Sequence, residues 1–344
     1  VEDREDFQIQ RILFQYDLVP RRLWNRGSVL KVETSAGFFA LKRKKMTDRQ
    51  VDRVYSVYPL IRSLVIDAVG PLPSKYGDLV VGDEAYRYYL MPWFEETVPE
   101  SDLEARYRHL FHKAGELHRQ TMREGKGTDG LYRSAFQMVA TRYTDWEQFL
   151  NMTEHHLYPS PFEQMVMSYS GQALGLFQHA LGYFSERAGL NDDASDDRPR
   201  RALCHGRLSP LHLLIEGEKR YLTNFEEARE DFFIIETAAL MEQACSVLPP
   251  AQTPWQDLLS AYFSACPLNE AETNFLFHFL LWPRTILGLM DQYRDKERSE
   301  LWYTRRFQRL SRGHRRMINQ LQTFIEQKRK EKQKSRDKEE KKNE

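Results

Sequence analysis

Cysteine is scarce in this chain of 344 residues: Cys204, Cys245 and Cys266 are odd in number and widely spaced. They exclude a disulfide framework and any CxxC zinc pair, and a reducing, intracellular setting is the simplest expectation. No uninterrupted apolar run approaches the roughly 20 residues that cross a bilayer, so no membrane span is expected. Net charge is lacking as well. Fifty basic and fifty acidic residues cancel, which removes any whole-molecule field for nucleic acid or an anionic membrane. The charged opening Val1-Glu2-Asp3-Arg4-Glu5-Asp6 does not have the apolar core of a signal peptide. No internal repeat is found.

What remains is the composition of an ordinary globular protein, 41% hydrophobic and 29% charged, long enough for two lobes with their own cores. The first third has strand grammar. Val29, Leu30 and Val32 precede a turn at Ser35-Ala36-Gly37, and Phe38-Phe39-Ala40-Leu41-Lys42 follows it, which predicts a β-hairpin. A helix is expected over 47–58, where Pro59 discourages continuation. Further strands are expected around Leu79-Val80-Val81 and from Tyr86 to Met91, with a turn at Gly82-Asp83.

From Pro92 the grammar changes. An acidic connector over 95–102 leads into helices predicted at 103–122, 135–152 and 161–188 by apolar residues three and four apart. One β-like island interrupts them at 202–226. It follows a polar loop with Asp192, Asp193, Asp196 and Asp197, read as solvated, with a calcium-like cluster as the alternative. A last helix over 300–327 has Leu310, Met317, Leu321 and Phe324 on one face and Arg305, Arg309, Arg312, Arg315 and Arg316 on the other. That arginine face is solvated or is a docking surface for an acidic partner. Residues 328–344 are almost wholly charged and are expected to be a disordered or frayed tail.

The segment that bears on chemistry is Cys204-His205-Gly206-Arg207-Leu208-Ser209-Pro210-Leu211-His212, followed by Leu222-Thr223-Asn224-Phe225-Glu226. It resembles the catalytic loop of aminoglycoside phosphotransferases and related small-molecule kinases. Their pattern is His-Gly-Asp, an Asn five residues after the Asp, and a strand ending in Asp-Phe-Asp/Glu. Phosphoryl transfer is mostly positioning and charge stabilisation, so each type has a task. One carboxylate accepts the substrate proton, Asn and a second Asp hold magnesium, and a lysine pairs with the phosphates.

His205 and Gly206 match that pattern, but Arg207 stands at the base position, and a guanidinium is a donor only. His212 replaces the magnesium-binding Asn and is a poorer ligand for a hard cation. Asn224 replaces the magnesium-binding Asp. Glu226 keeps the acidic third position and is the natural rescue group, with Glu227 and the acids at 192–197 as further candidates. In the small lobe Ala40-Leu41-Lys42 resembles the strand lysine that meets phosphate. Gly27-Ser28 matches the phosphate-covering turn, and Tyr89-Leu90-Met91-Pro92-Trp93 the adenine hinge. The helix after Lys42 has only Asp48 and Asp52 where a glutamate partner belongs. Gly115-Glu116-Leu117-His118 resembles a helix near the start of the large lobe, and Glu236 replaces the Asp of a helix after the metal strand.

Within this superfamily the chain is most similar to the CotS-type spore coat kinase-like proteins, on the runs Phe38 to Arg43, Tyr88 to Trp93 and the loop remnant. The resemblance covers about 6–327. It implies an α+β, bilobal protein-kinase-like fold of the aminoglycoside phosphotransferase type. A β-rich N-lobe would occupy 1–93, a helical C-lobe 94–327 and a charged tail 328–344. It further implies a spore coat pseudokinase, first cytoplasmic and then in the coat, with coat proteins as partners. No cofactor is required on this reading, although ATP with or without magnesium could bind; the alternative is an active, atypical small-molecule or protein kinase. The expectations for single residues follow. Lys42 is a phosphate ligand or a surface lysine, and His205 is structural. Arg207 forms an ion pair that holds the loop, or else contacts phosphate in place of a metal. His212 is a satisfied, partly buried histidine, and Cys204 a small core residue.

Overall fold

The computed structural model describes residues 2–27, 29–82, 86–125, 128–188 and 198–343. The chain forms two compact units, one of Val1–Gln120 with Leu203–Glu230, the other of Thr121–Ala202 with Asp231–Glu344. The lobe boundary is expected after Trp93, whereas these compact units divide elsewhere along the chain. A helix beyond the hinge and the loop remnant both belong with the sheet, for reasons of hydrogen bonding given below.

The first unit starts with helix α1 (Glu2–Phe14) and builds a five-stranded antiparallel sheet. Its strands are β1 (Arg22–Arg26), β2 (Val29–Thr34), β3 (Gly37–Lys44), β4 (Val81–Gly82) and β5 (Arg87–Pro92), in the order β1-β2-β3-β5-β4. The expected hairpin is β2–β3, closed where Thr34 pairs with Gly37. Thr34 Oγ1 accepts the Ala36 amide and donates to the Gly37 carbonyl. Of the expected turn at Gly82-Asp83, Asp83 lies outside the described residues.

Both faces of this sheet are covered, so its strands read as continuous apolar runs. Side chains alternate between faces along a strand. Leu41, Tyr88 and Leu90 pack with Val32, Ile12 and Leu13 on one side. Ala40, Tyr89 and Met91 pack with Val69 on the other. Lys42 pairs in register with Tyr89 and shares the parity of Ala40, which sets both on the second face.

Helix α2 (Asp48–Ser63) begins at Thr47, whose hydroxyl accepts the Gln50 amide while the Gln50 side chain accepts from the Thr47 amide. It does not stop at Pro59 but runs to Ser63 with the proline inside. A proline in a helix costs about 3 kcal/mol. Burial of Val54, Val57, Tyr58 and, past the proline, Ile61 offsets this at about 1.5–3 kcal/mol per side chain. Helix α3 (Leu103–Thr121) follows the hinge in the same unit.

The second unit is helical. It holds α4 (Thr128–Glu154), α5 (Pro161–Ala188), α6 (Phe233–Val247), α7 (Trp255–Ala265), α8 (Glu270–Leu281), α9 (Arg284–Arg294) and α10 (Glu300–Asn343). Its core is aromatic, with Trp146, Phe149, Phe162 and Phe177 at 1% exposure or less. Leu310, Met317, Leu321 and Phe324 of α10 are buried, as their spacing predicts. The segment 328–344, expected to be a disordered or frayed tail, continues α10 as far as Asn343. Lys, Glu, Gln and Arg are good helix formers, and charge pairs such as Lys328–Glu331 (3.0 Å) add to that. An apolar face is not required to extend a helix already nucleated. The acidic loop at 192–197 lies outside the described residues. Between the helices run β6 (Arg201–Cys204), β7 (Leu213–Glu216), β8 (Lys219–Leu222) and β9 (Arg229–Phe232), and β7–β8 is a hairpin within the first unit.

Candidate functional site

The sheet face with Lys42 and Tyr89 forms one wall of a cavity of about 830 Å³ inside the first unit. The other wall is the loop remnant from Arg207 to His212 together with Leu214, Thr223, Asn224, Glu226 and Glu227. Met91, Trp93 and Phe94 line it from the hinge, and Arg26 and Val29 from either side of the β1–β2 turn. Gly27 makes that turn in a left-handed conformation at φ +71°; Ser28 lies outside the described residues.

The loop is held by its histidines. His205 is fully buried and donates Nε2–H to the Thr223 carbonyl at 2.8 Å, while its Nδ1 accepts the Arg207 amide at 3.3 Å. His212 donates Nδ1–H to the Arg207 carbonyl at 2.7 Å. Between them Gly206 has φ +81°, and a Cβ there would meet the Glu227 carbonyl oxygen at 2.3 Å. Only glycine fits this crossing of two backbone segments. His205 is thus structural, as expected. His212 is half-buried, and burial, with His205 beside it, lowers its pKa to about 4. The ring is neutral at physiological pH. Cys204 is a buried small residue.

Lys42 is the centre of the charged network. Its ammonium donates to Asn224 Oδ1 and, at 3.1 Å, to Glu226 Oε1. The Tyr89 hydroxyl donates to the same carboxylate, and Lys44 Nζ lies 3.7 Å from it. Burial pulls the Lys42 pKa down against the pull of Glu226. Burial would raise Glu226, but Lys42, the Tyr89 hydroxyl and Lys44 outweigh it and hold that carboxyl at about 2. Glu226 is ionised, and its Oε1 accepts from Lys42 and Tyr89 with Lys44 beside it. Asn224 presents its amide from the left-handed region (φ 67°, ψ 53°), which asparagine tolerates better than most residues.

Two contacts have no forerunner in the motif reading. Glu227 accepts from the Gln50 side chain and pairs with Arg53 at 3.0 Å. The helix that lacks a glutamate for Lys42 thus supplies a cation and an amide, and the loop supplies both acids. Arg106 of α3 is 1% exposed. Its guanidinium donates to the carbonyls of Pro210, Leu213 and Val98 and to Glu96 at 2.8 Å. With the Thr97 amide bonded to Ile215 and Val69 to Leu222, this explains why α3 and the loop belong to the sheet's unit. The signal was present: Arg106 opens the buried stripe Arg106–Leu110–Ala114 of α3, and a buried guanidinium must find acceptors.

Arg207 is exposed at the cavity wall, and its guanidinium has no hydrogen bond or ion pair among the described residues. The ion pair expected to hold the loop is therefore not found there. The loop is held through the backbone of Arg207 instead.

Kinases of the resembled type use magnesium, and the donor set here does not fit that ion. Magnesium needs several hard oxygens in octahedral array. Asn224 offers one amide oxygen, which accepts from Lys42; Glu226 is engaged by three donors; the third position is the imidazole of His212.

No protein-family profile and no curated protein matches this sequence. Solved structures do. An aminoglycoside phosphotransferase from Alicyclobacillus acidocaldarius is similar over 92% of this chain and 95% of its own, with a TM-score of 0.70 at 16% identity. A spectinomycin phosphotransferase solved with ADP and spectinomycin is similar over 90% and 98% (TM-score 0.54, 10% identity). A microcompartment-associated aminopropanol kinase is similar over 90% and 95% (TM-score 0.54, 14% identity). At these identities the likeness concerns the fold. This chain has the α+β, protein-kinase-like fold of the aminoglycoside phosphotransferase type.

Proposed function

We propose that this chain is a pseudokinase: a kinase-fold module that binds a partner or ligand and does not transfer phosphate. The observation that carries the reading is the closed charge network at the would-be centre. Lys42 is engaged by Glu226 and Asn224, and the neighbouring base position holds Arg207. A guanidinium cannot take the proton of an attacking hydroxyl. His212, neutral in this setting, is also a poor ligand for magnesium. The alternative, an atypical kinase rescued by Glu226 or Glu227, has less support. Both carboxylates are already tied, one to Lys42, Tyr89 and Lys44, the other to Gln50 and Arg53.

The test is incubation of the full chain with γ-labelled ATP and magnesium or manganese, against spore coat extract and a panel of small alcohols. No labelled product is expected. A labelled product that disappears in Lys42→Ala would overturn the reading. The resemblance to CotS-type proteins supports a coat setting, with coat proteins as partners. A fluorescent fusion in a sporulating bacterium is expected at the forespore surface, and an evenly diffuse signal throughout sporulation would remove that part.

A further inference from the structure

We infer that the cavity of the first unit is a metal-independent anion site for a nucleoside diphosphate, in which the Arg207 guanidinium does the charge neutralisation that a divalent cation does in active kinases. This rests on the pseudokinase reading and names the ligand class of the same site.

Three cations, Lys42, Lys44 and Arg207, line the cavity together: Lys44 faces the same carboxylate as Lys42, and Arg207 is close enough to Lys42 to act on its charge. Against them is the single carboxylate of Glu226, because Glu227 is matched by Arg53. Three positive charges less one negative leaves an excess of two. Elsewhere in the lining Glu96 is taken by Arg106 and Glu95 by Lys31, Arg26 and Glu100 are one of each sign, and Arg43 lies over the Tyr86 ring at 3.9 Å. The lining therefore carries an excess of positive charge, and within it the Arg207 guanidinium has no partner among the described residues. Arg207 is also near enough to Lys42 to help depress its pKa, so an anion placed there relieves repulsion between two cations.

A divalent cation would have to enter this surplus and meet Asn224 Oδ1 and Glu226 Oε1, both already accepting hydrogen bonds. A diphosphate brings the charge the site lacks. A guanidinium also meets phosphate oxygens through two parallel N–H donors. The remaining volume suits a planar ring. Val29, Ala40, Val69, Met91 and Leu214 make apolar walls, and Phe94, also in the lining, has its ring 4.5 Å from that of Tyr221. An apolar slot ending in a cationic pocket fits a base joined to phosphates more closely than it fits an inorganic anion alone.

The test is calorimetry on the full chain with ADP, adenosine and inorganic pyrophosphate, each in EDTA and in magnesium. ADP is expected to bind in EDTA, with magnesium leaving the affinity unchanged or weakening it a few-fold. Arg207→Ala is expected to weaken ADP and pyrophosphate tenfold or more, Arg207→Lys to weaken them less, and neither to change adenosine. Arg207 is exposed, so both variants should fold; their melting temperatures check this. ADP binding that requires magnesium, an Arg207→Ala variant that binds ADP like the parent, or no ADP binding in EDTA would each overturn the inference. Failure of the pseudokinase reading is distinguishable, since it shows as labelled product in the transfer assay.

Discussion

Glu226 in the first unit and Glu242 in the second each lie beside a cation at nearly the same distance, 3.1 Å to Lys42 and 3.0 Å to Arg284. Their side chains are 2% and 13% exposed. Yet the carboxyl of Glu226 is held at about 2 and that of Glu242 is raised to about 7. The nearest opposite charge does not decide the matter. Burial raises both; what differs is the number of donors set against it. Glu226 has Lys42, the Tyr89 hydroxyl and Lys44. Glu242 has Arg284, whose charge is also shared with the rings of Phe279 and Trp282 at 5.1 and 5.3 Å. A buried carboxylate stays ionised when several donors converge on it, and drifts towards the neutral acid when one does not suffice. In this chain the convergence is found at the cavity and the drift in the helical core.

The largest expected effect comes from removing one member of the convergent set. Lys42→Met leaves the ionised Glu226 without its main partner. Stripping one side of a buried pair costs about 3–5 kcal/mol, and the remaining Tyr89 and Lys44 contacts put the expected loss near the lower value. Urea denaturation at neutral pH measures it. The double variant Lys42→Met with Glu226→Gln is expected to recover most of the loss, because no unpaired charge is left. A cost below about 1 kcal/mol for Lys42→Met alone would mean that water reaches Glu226 freely, and the contrast with Glu242 would lose its basis.

The comparison also separates what local pattern carries from what it does not. The β2–β3 hairpin, the strand position of Lys42 and helix α5 follow from alternation, a glycine-bearing turn and three–four spacing. The kinase-like frame follows from motif spacing, and so does the structural role of His205. Glu226 stood out as an acid, but its partners come from strands more than 130 residues away, and no local rule contains them. The carbonyl cage around Arg106 is hidden for the same reason, although an arginine on an apolar stripe marks it. For Arg207 the expectation is an ion pair or a phosphate contact; among the described residues its guanidinium has no partner, and the backbone bonds that hold the loop there have no side-chain signature. Helix α2 outruns Pro59 because burial beyond it outweighs a rule about propensity. Helix α10 runs to Asn343 because good helix formers extend a nucleated helix, and the residues from Lys328 to Lys334 do so while exposed.

A smaller effect, of opposite sign, is expected at Glu242. Its folded pKa lies above the unfolded value, so the native state holds the proton more tightly and stability falls as pH rises from about 4.5 through about 7. Glu226 is the mirror case. Its folded pKa is depressed, so its contribution is present above about 4.5 and is lost as pH falls towards about 2. Lys42, drawn down by burial, opposes that gain and keeps the net below the full value. Glu242→Gln removes an acid that is ionised at a cost at pH 8 and protonated at pH 5. It is therefore expected to stabilise the chain by about 1 kcal/mol at pH 8 and to be nearly neutral at pH 5. Thermal melts of parent and variant at the two pH values measure the difference. Equal destabilisation at both would show that Arg284 alone keeps Glu242 ionised, and the count of donors would then not be what separates the two sites.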